Sequence, residues 1–455
     1  MHARLGDSTR RPAAHGRPLS RTIDTNASAL KMLLSRLRGR HFVGDALYIY
    51  LLQALNYGVP LLTLPYLLRV LGPQAYGSIA LAQAVMGFAL ILTDYGFNLT
   101  AVRDISIARN DPLLVARVYW FTMATKVFLM ACSVPALAAL VLLVPQLRNE
   151  WPVFAACWTM VLGNVLFPQW YFQGVQRLRE AVVMQVIARC AVTAAIFILV
   201  RSPADAVGAA LLMSVAQVAA FLVAIAAGRV PSPKTFRRPS VTEVSGSLAA
   251  SWHLIAGTMA TTLYIQANPF VLGLLCGNRA VAFYSIGYST VLAVYGICGP
   301  IAQSLFARAS VLFAEEPGRA WQLVKRLAGW LLPVIAAVSL IIAIFAKEVA
   351  LLLGGHAYAD AASAVRIMAA APFLMALATI LGFIVMINVH LTRQLMRIYI
   401  AVGLLNVVLL PYLVLRDAAA GAAVALVVAE TLGPIAMAAV LWRQRRKLTA
   451  ASGPA

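Results

Sequence analysis

Charged side chains lie inside or at the ends of long apolar segments of this chain. A charge at the centre of a membrane-spanning helix costs about 2.5–3.5 kcal/mol on insertion scales. Such a residue is therefore expected to pair with an opposite charge, to reach a water surface, or to line a polar cavity. The residues concerned are Asp94, Lys126, Arg189, Arg308, Arg366 and Glu430.

These six residues differ in the role that their positions favour. Arg189 lies roughly 12 Å into its segment at 1.5 Å per residue, too deep for easy snorkelling, so we expect it on a cavity wall. Lys126 is shallower, and the sequence leaves open whether it faces a cavity or snorkels to the surface. Glu430 is central in its segment and is either the structural partner of Arg189 or a proton-coupling group.

The other three residues have a plainer alternative. Arg366 opens its segment and is either a cavity residue or an interface anchor. Asp94 is a candidate coupling or partner carboxylate, but it and Arg308 are near segment ends, where a helix end in water is the simpler interpretation.

The composition predicts which elements carry these residues. Of 455 residues, 62% are apolar and 12% are charged, and the mean hydropathy is +0.83, whereas globular chains have about 25% charged residues. Apolar runs near the roughly 20 residues that cross a bilayer as a helix recur throughout, so we predict an all-α polytopic membrane protein. Its twelve predicted spans are 44–68, 78–97, 119–144, 152–171, 181–200, 206–228, 248–275, 282–306, 327–346, 364–388, 396–415 and 418–442.

The basic residues predict the orientation. Of the 37 Lys and Arg residues, about 28 fall in the tails and in alternate loops. The six remaining loops hold one each: Arg69, Arg148, Arg201, Arg279, Lys347 and Arg416. This asymmetry favours both termini in the cytoplasm and a cytoplasmic (inner) membrane location. It also accounts for the net charge of +21 through contacts with anionic membrane lipids and without nucleic acid.

Catalytic constellations are missing from the sequence. It has no G-x-x-x-x-G-K-[ST] motif for a P-loop, and no outer loop is long enough for a catalytic domain. The five cysteines are widely spaced in apolar spans, which is typical of small buried hydrophobic side chains. We therefore predict no catalytic residue, no metal and no cofactor, and a transporter rather than an enzyme.

An internal repeat divides the chain. "GPQAYGSIALAQ" (72–83) and "GNRAVAFYSIGYS" (277–289) share the order of glycine, polar, alanine, aromatic and serine residues, six predicted spans apart. An even number of spans between copies makes the repeat parallel, with a pseudo-twofold axis along the membrane normal. The predicted parts are a tail (1–43), a six-helix lobe (44–228), a linker (229–247), a second six-helix lobe (248–442) and a tail (443–455).

Prolines interrupt the corresponding span of each lobe. The first span reads "QALNYGVPLLTLPYLL" and the seventh reads "LYIQANPFVLGLL". Interrupted spans at matching places point to a transport site, so their amides are candidates for binding hydroxyl groups. The alternative is that they join helices or satisfy backbone groups that the prolines free. These amides are Gln53, Asn56, Gln266 and Asn268.

The fourth predicted span ends in "FPQWYFQGVQRLRE" (167–180). Amphipathic rings favour the headgroup level of a bilayer and arginines favour the water beyond it. The pattern therefore predicts that Trp170, Tyr171 and Phe172 form an aromatic anchor at the cytoplasmic surface.

Four stretches together resemble a known family. They are "LPYLLRVLGPQAYGSIALAQAV", "DYGFNLTAVRDIS", "FPQWYFQGVQRLRE" and the segment that begins "LYIQANPFVLGLLCGNRAVAFYSIGYS". In this order they are similar to Wzx-type polysaccharide flippases of the multidrug/oligosaccharidyl-lipid/polysaccharide exporter superfamily, from about residue 44 to about residue 390. The resemblance implies two six-helix lobes in a V around a central cavity that faces each side in turn.

The resemblance also implies a substrate. The family moves undecaprenyl-pyrophosphate-linked oligosaccharides from the inner to the outer leaflet. A diphosphate suits a cationic wall, because guanidinium binds phosphate oxygens bidentately; Arg189, Lys126, Arg366 and Arg308 are therefore the candidate residues. Implied partners are the lipid-linked oligosaccharide, membrane lipids, and a polysaccharide polymerase with chain-length machinery.

Three alternatives to this flippase remain at the level of sequence. A cation-coupled multidrug exporter of the same superfamily would need a carboxylate in its cavity. A membrane polysaccharide polymerase or ligase would need a long outer loop. A flippase for lipid-linked peptidoglycan precursors would differ in whether its loss is lethal.

Overall fold

The computed structural model describes the backbone of residues 40–236, 239–296 and 298–450, and these residues contain no β-strand. The side chains of 40–57, 59–61, 241, 250–258, 260–261, 263–264, 300, 303, 307 and 445–450 are outside the description. The predicted basic tail up to residue 39 and the side chains of Gln53 and Asn56 therefore lie outside the described residues.

Helices make up both halves of the described chain. The first half contains α1 (Arg40–Asp94), α2 (Phe97–Ile107), α3 (Pro112–Leu143), α4 (Pro145–Arg148), α5 (Trp151–Leu166), α6 (Gln169–Gly174), α7 (Leu178–Leu199) and α8 (Ala206–Ala226). The second half contains α9 (Val241–Cys276), α10 (Asn278–Tyr295), α11 (Cys298–Glu315), α12 (Pro317–Ile344), α13 (Ala346–Gly354), α14 (Ala362–Met368), α15 (Ala371–Ala378), a π-helical segment (Thr379–Met386) and α16 (Thr392–Ala450). Short 3-10 turns occupy Pro203–Asp205, Pro233–Thr235 and His356–Ala361.

These helices carry the predicted spans. Most of the described residues in each of the twelve are helical, and two pairs share one long helix. The backbone leaves helical geometry at Gly72 in α1 and at Asp417 and Ala418 in α16, so each of these helices turns back on itself. By length and composition, eight helices of the described residues can cross a membrane. The prediction of an all-α polytopic membrane protein is confirmed.

Helix starts follow from local sequence. The Asp111 side chain accepts hydrogen bonds from the backbone N–H groups of Leu113 and Leu114, and Pro112 takes the first helical position of α3. At the start of α9, Ser240 and Glu243 form a reciprocal capping box.

The two copies of the internal repeat make the same backbone turn. Gly72 has φ 73° and ψ 173°, and Gly277 has φ 80° and ψ 177°. This region of conformational space is open essentially to glycine alone. Each glycine therefore lets two antiparallel helices follow one another without a loop.

Small residues set the distances between helices. Helix α8 packs against α5 and α7, and Ala209, Ala210, Ala220 and Ala224 are fully buried. Apolar side chains gain little by leaving lipid, so close van der Waals packing through small residues drives helix association. In the second half, α9 pairs with α16, and Asn406 of α16 donates a hydrogen bond to Asn268 of α9.

Contacts among helix ends and loops divide the molecule into two sides. On one side, which we call the Glu150 side, Tyr66 donates a 2.6 Å hydrogen bond to the Val200 carbonyl, and Arg279 pairs with Asp360 at 3.6 Å. On the other, the Arg109 side, Arg109 donates to Gln176, Trp120 donates to Thr235 at 3.0 Å, and Arg229 pairs with Glu180 at 3.4 Å. Alternate loops meet on each side, as the predicted spans require.

Glu150 joins the two halves. Ser78 of α1 donates a 2.6 Å hydrogen bond to one carboxylate oxygen, and Asn278 of α10 donates to the other at 2.9 Å. Gly77 allows this approach, because a Cβ there would lie 1.8 Å from the Asn278 carbonyl oxygen. Both donors belong to the repeat copies, so the two copies meet each other through one carboxylate.

The prediction of an aromatic anchor at the end of the fourth span is largely wrong. Trp170 is 2% exposed and Phe172 is fully buried. Trp170 packs against Tyr119 with ring centroids 5.5 Å apart, and Phe172 stacks on Phe167. The polypeptide bends at Pro168 between α5 and α6, and this bend turns the rings into the protein instead of towards lipid.

Replacing Glu150 with alanine should weaken the contact between the halves. The change leaves Ser78 and Asn278 without their acceptor, and hydrogen bonds to a charged group contribute about 1.5–3 kcal/mol. We expect a fall of several degrees in the Tm of the purified protein in detergent, measured by thermal unfolding. Glu348→Ala, an exposed carboxylate of α13 on the same side, is the matched control; equal Tm values for the two variants would contradict the bridging role.

Candidate functional site

Arg189 lines a cavity in the first half, which we call the Arg189 cavity. It has a volume of about 340 Å³ and lies between α1, α5, α7 and α8. Thr193 is one helical turn from Arg189 on α7 and lines the same space, together with Gln83 of α1 and Gln217 of α8. The predicted cavity residue thus shares its cavity with amide and hydroxyl groups.

A second cavity, the Trp170 cavity, lies towards the Arg109 side of the first half. Its volume is about 200 Å³. The segment that ends the fourth span supplies Trp170 and Gln173, and Asn98 of α2 and Gln217 of α8 supply further amides. The side chains of Asn98 and Gln173 are exposed to this space, and Gln217 is half-buried.

Lys126 is held beside the Trp170 cavity by an ion pair. Its side chain is 1% exposed, and its Nζ lies 2.9 Å from Asp94 Oδ1. Asn164 of α5 donates a second hydrogen bond of 2.9 Å to the same oxygen. Lys126 therefore does not reach the surface, and its charge and that of Asp94 balance each other.

A third space, the Gln266 cavity, lies where the two halves meet. It has a volume of about 310 Å³, and its lining includes Asp94 and Asn98 from the first half and Thr262 and Gln266 from α9. The Gln266 amide rests directly on Gly87 of α1, where a Cβ would lie 1.8 Å from the amide nitrogen. Any larger residue at 87 would displace Gln266.

The three cavities share walls. Gln217 lines both the Arg189 cavity and the Trp170 cavity, and Asn98 lines both the Trp170 cavity and the Gln266 cavity. We call this connected lining the polar tract. The charges of Lys126 and Asp94 compensate each other, and the guanidinium of Arg189 adds a cationic group to an otherwise amide-rich surface.

Asn268 and Glu430 lie in the second half. Asn268 is fully buried, donates to the Tyr284 hydroxyl at 3.1 Å and accepts from Asn406 at 3.0 Å, so it connects α9, α10 and α16. Glu430 is 8% exposed and is near the hydroxyl groups of Tyr288 and Tyr399.

The remaining predicted site residues are in other places. Arg366 is exposed at the end of α14 and donates to the Ala343 carbonyl of α12 at 3.3 Å. Arg308 is exposed on α11. Neither is among the residues that line the three cavities.

Several amides of the polar tract were not predicted from the sequence. Gln83, Asn98, Asn164 and Gln217 each lie in or beside an apolar segment. Their position in a membrane span is the feature that could have identified them, because a polar amide there is costly unless it is buried in protein or faces water. The prediction named only amides near prolines.

The described residues provide neither a metal-binding cluster nor a disulfide. Within the described residues, no three His, Cys, Asp or Glu side chains are grouped to hold a metal ion. The five cysteines are free, and Cys132 and Cys190 are exposed where burial was expected.

Comparison with known proteins shows the family. The family model described as "Polysaccharide biosynthesis protein" matches residues 42–311. A protein of Escherichia coli (strain K12) named "Putative O-antigen transporter" is 28% identical over 395 residues, which are 85% of this chain and 94% of that protein.

Solved structures show the fold. An inward-facing multidrug resistance MATE family transporter of the MOP superfamily superposes with a TM-score of 0.69 at 17% identity and covers 88% of this chain and 95% of its own. The lipid II flippase MurJ, in an inward closed conformation, superposes with a TM-score of 0.61 at 10% identity and covers 90% of each chain. The fold is that of these multi-pass membrane transporters, and the chain belongs to the family of polysaccharide biosynthesis proteins.

Proposed function

We propose that this protein is a flippase that moves undecaprenyl-pyrophosphate-linked oligosaccharide repeat units from the inner to the outer leaflet of the cytoplasmic membrane, for surface polysaccharide synthesis. The observation that carries the proposal is the polar tract, a connected amide-rich lining inside helices whose outer surfaces are apolar. The family match and the name of the Escherichia coli relative support the same substrate class. Translocation of this kind needs no catalysis, so the proposal includes no enzymatic step.

The chemistry of the polar tract suits such a head group. Amide side chains donate and accept hydrogen bonds, as sugar hydroxyl groups do. The guanidinium of Arg189 is suited to phosphate oxygens because its donors form a planar fork. The lipid tail would stay in the bilayer while the head group crosses through the cavities.

Alternating access fits the contacts between the halves. At the Glu150 side the halves are joined by Glu150, Ser78 and Asn278. Towards the Arg109 side, Asn98 and Gln173 of the polar tract are exposed. Breaking the first contact and forming a new one at the opposite side would move the polar tract from one leaflet to the other.

The polar tract argues against the drug-exporter alternative. A cationic drug would need an available carboxylate, but Asp94 is neutralised by Lys126 at 2.9 Å. A peptidoglycan precursor shares the diphosphate and sugar chemistry, so that alternative is distinguished by whether deletion of the gene is lethal. Polysaccharide polymerase and chain-length proteins remain proposed partners.

The proposed orientation has the Arg109 side and both termini in the cytoplasm, since most Lys and Arg residues fall there. Reporter fusions after residues 110, 176, 235, 320 and 445 should report a cytoplasmic position. Fusions after residues 74, 148, 203, 279, 355 and 416 should report the outer side. Reversal at any two adjacent loops would refute the orientation.

Deletion of the gene tests the substrate class. We expect loss of a surface polysaccharide and accumulation of lipid-linked repeat units on the inner leaflet, with the cells viable. Plasmid-borne wild-type protein is the control and should restore the polysaccharide. Persistence of the polysaccharide with greater sensitivity to cationic dyes would favour drug export, and lethality would favour the peptidoglycan precursor.

Substitutions of Arg189 test its role towards the diphosphate. Arg189→Lys should keep partial export, because an ammonium attracts the anion without the bidentate fit. Arg189→Ala should reduce export about tenfold or more at normal protein abundance, because it removes one charge-assisted contact with the diphosphate. Quantitative blotting and a surface polysaccharide assay give both readouts.

A structural role for Arg189 predicts a different result. If Arg189 pairs with Glu430, removing the guanidinium leaves a buried carboxylate and lowers abundance. The double change Arg189→Ala with Glu430→Gln would then restore both abundance and export. Such a rescue would refute the role towards the diphosphate.

A further inference from the structure

The Trp170 cavity combines an aromatic wall with amides that have no protein partner. Trp170 and Phe167 line the space and are 2% and 3% exposed, so their rings are held firmly in the core. In the part of the chain that the structure describes, the side chains of Asn98, Gln173 and Gln217 form no hydrogen bond with protein. Each amide has two donors and two acceptor lone pairs to satisfy.

These amides are open to the cavity, since Asn98 and Gln173 are exposed and Gln217 is half-buried, so they suit a polar occupant. Covering such an amide with a ligand that offers it no hydrogen bond costs about 1–3 kcal/mol by protein mutational data. Water satisfies these groups while the cavity is empty of ligand. A ligand that replaces the water must therefore bring several donors and acceptors of its own, or binding leaves the amides unsatisfied.

The size and charge of the cavity narrow the occupant further. Its volume of about 200 Å³ is below the roughly 300–1,000 Å³ of pockets for drug-sized ligands, which fits one sugar ring and not a whole head group. Its cation, Lys126, is neutralised by Asp94 at 2.9 Å. A neutral ligand therefore fits this cavity, whereas a phosphate fits the adjoining Arg189 cavity.

The amides agree with a sugar. Hydroxyl groups around a pyranose ring donate to and accept from amide side chains, whereas the Trp170 and Phe167 rings, at 2% and 3% exposed, back the cavity without offering an open face. Gln217 borders both cavities, so a sugar in the Trp170 cavity would be adjacent to a phosphate beside Arg189. This matches the covalent order of a sugar linked to a lipid diphosphate.

We propose that the Trp170 cavity is a sugar-binding subsite that recognises a monosaccharide unit of the head group through Asn98, Gln173 and Gln217. The proposal rests on the proposed function, because it names the part of that substrate which this cavity binds. With the proposed orientation, the subsite lies towards the cytoplasmic side, where the head group is loaded.

Binding measurements on the purified full-length protein in nanodiscs test the subsite. Two probes separate the sugar from the rest of the substrate: lipid-linked oligosaccharide extracted from a strain lacking the gene, and undecaprenyl pyrophosphate, which has no sugar. Gln173→Leu and Gln217→Leu remove hydrogen-bonding groups at similar size. Gln322→Leu, on the exposed surface of α12, is the matched control.

Each subsite variant should bind the oligosaccharide probe about tenfold more weakly, as expected for a lost buried hydrogen bond. Binding of undecaprenyl pyrophosphate should be unchanged in these variants, and Gln322→Leu should bind both probes like the wild type. Arg189→Ala should weaken binding of both probes, because both carry the diphosphate.

Three results would overturn the subsite. In the first, both glutamine variants bind the oligosaccharide probe as tightly as the wild type. In the second, they lose affinity equally for the oligosaccharide probe and for undecaprenyl pyrophosphate. In the third, Gln322→Leu weakens oligosaccharide binding as much as the subsite variants do. Two separate glutamine variants guard against one that fails to fold, and equal Tm values would establish that the compared proteins are intact. A wild-type protein that binds neither probe would instead refute the proposed function and the subsite together, whereas wild-type binding with unaffected variants refutes the subsite alone.

Discussion

The hydrocarbon core of a bilayer offers no water to a polar group, and this constraint underlies the structure. Backbone N–H and C=O groups are satisfied within helices, so the described chain is helical wherever it is apolar. Polar side chains within these helices must then find partners or a water-filled space inside the protein. The cluster of Lys126, Asp94 and Asn164 shows the first solution, and the amides of the Trp170 cavity show the second.

Close packing through small residues makes the polar tract possible. Helix association in lipid depends on van der Waals contact, and Gly77 and Gly87 let α1 approach α9 and α10 within distances that a side chain would prevent. The same approach brings Ser78 and Asn278 to Glu150. Contact between the halves and formation of the Gln266 cavity thus depend on the same glycines.

One fold serves different transported molecules within this group of proteins. The chain superposes on a multidrug transporter and on a lipid II flippase at 17% and 10% identity, so the fold alone does not decide the substrate. We propose that the side chains on the cavity walls decide it. An Asp94 with no lysine beside it would suit a cation, whereas here Lys126 pairs with Asp94 and the guanidinium of Arg189 lines the polar tract.

The sequence was sufficient for features that depend on local composition. Apolar runs of bilayer length predicted the helices, and the repeat of 72–83 at 277–289 predicted two related halves. Only the structure shows that Gly72 and Gly277 share one backbone conformation. Arg189 was correctly expected inside a span because its depth can be counted along a helix, although its role towards a substrate stays a prediction.

Only the tertiary structure decided which polar groups meet. Lys126 and Asp94 are 32 residues apart, and Asn278 is 128 residues from Glu150. No local pattern reveals such pairs, because they arise from how helices pack and rotate about their axes. The rings of Trp170 and Phe172 show the same limit: their order in the sequence suits a membrane surface, but the bend at Pro168 directs them into the core. Composition sets the environment that a helix needs, whereas packing sets which of its faces meets a neighbour, lipid or a cavity.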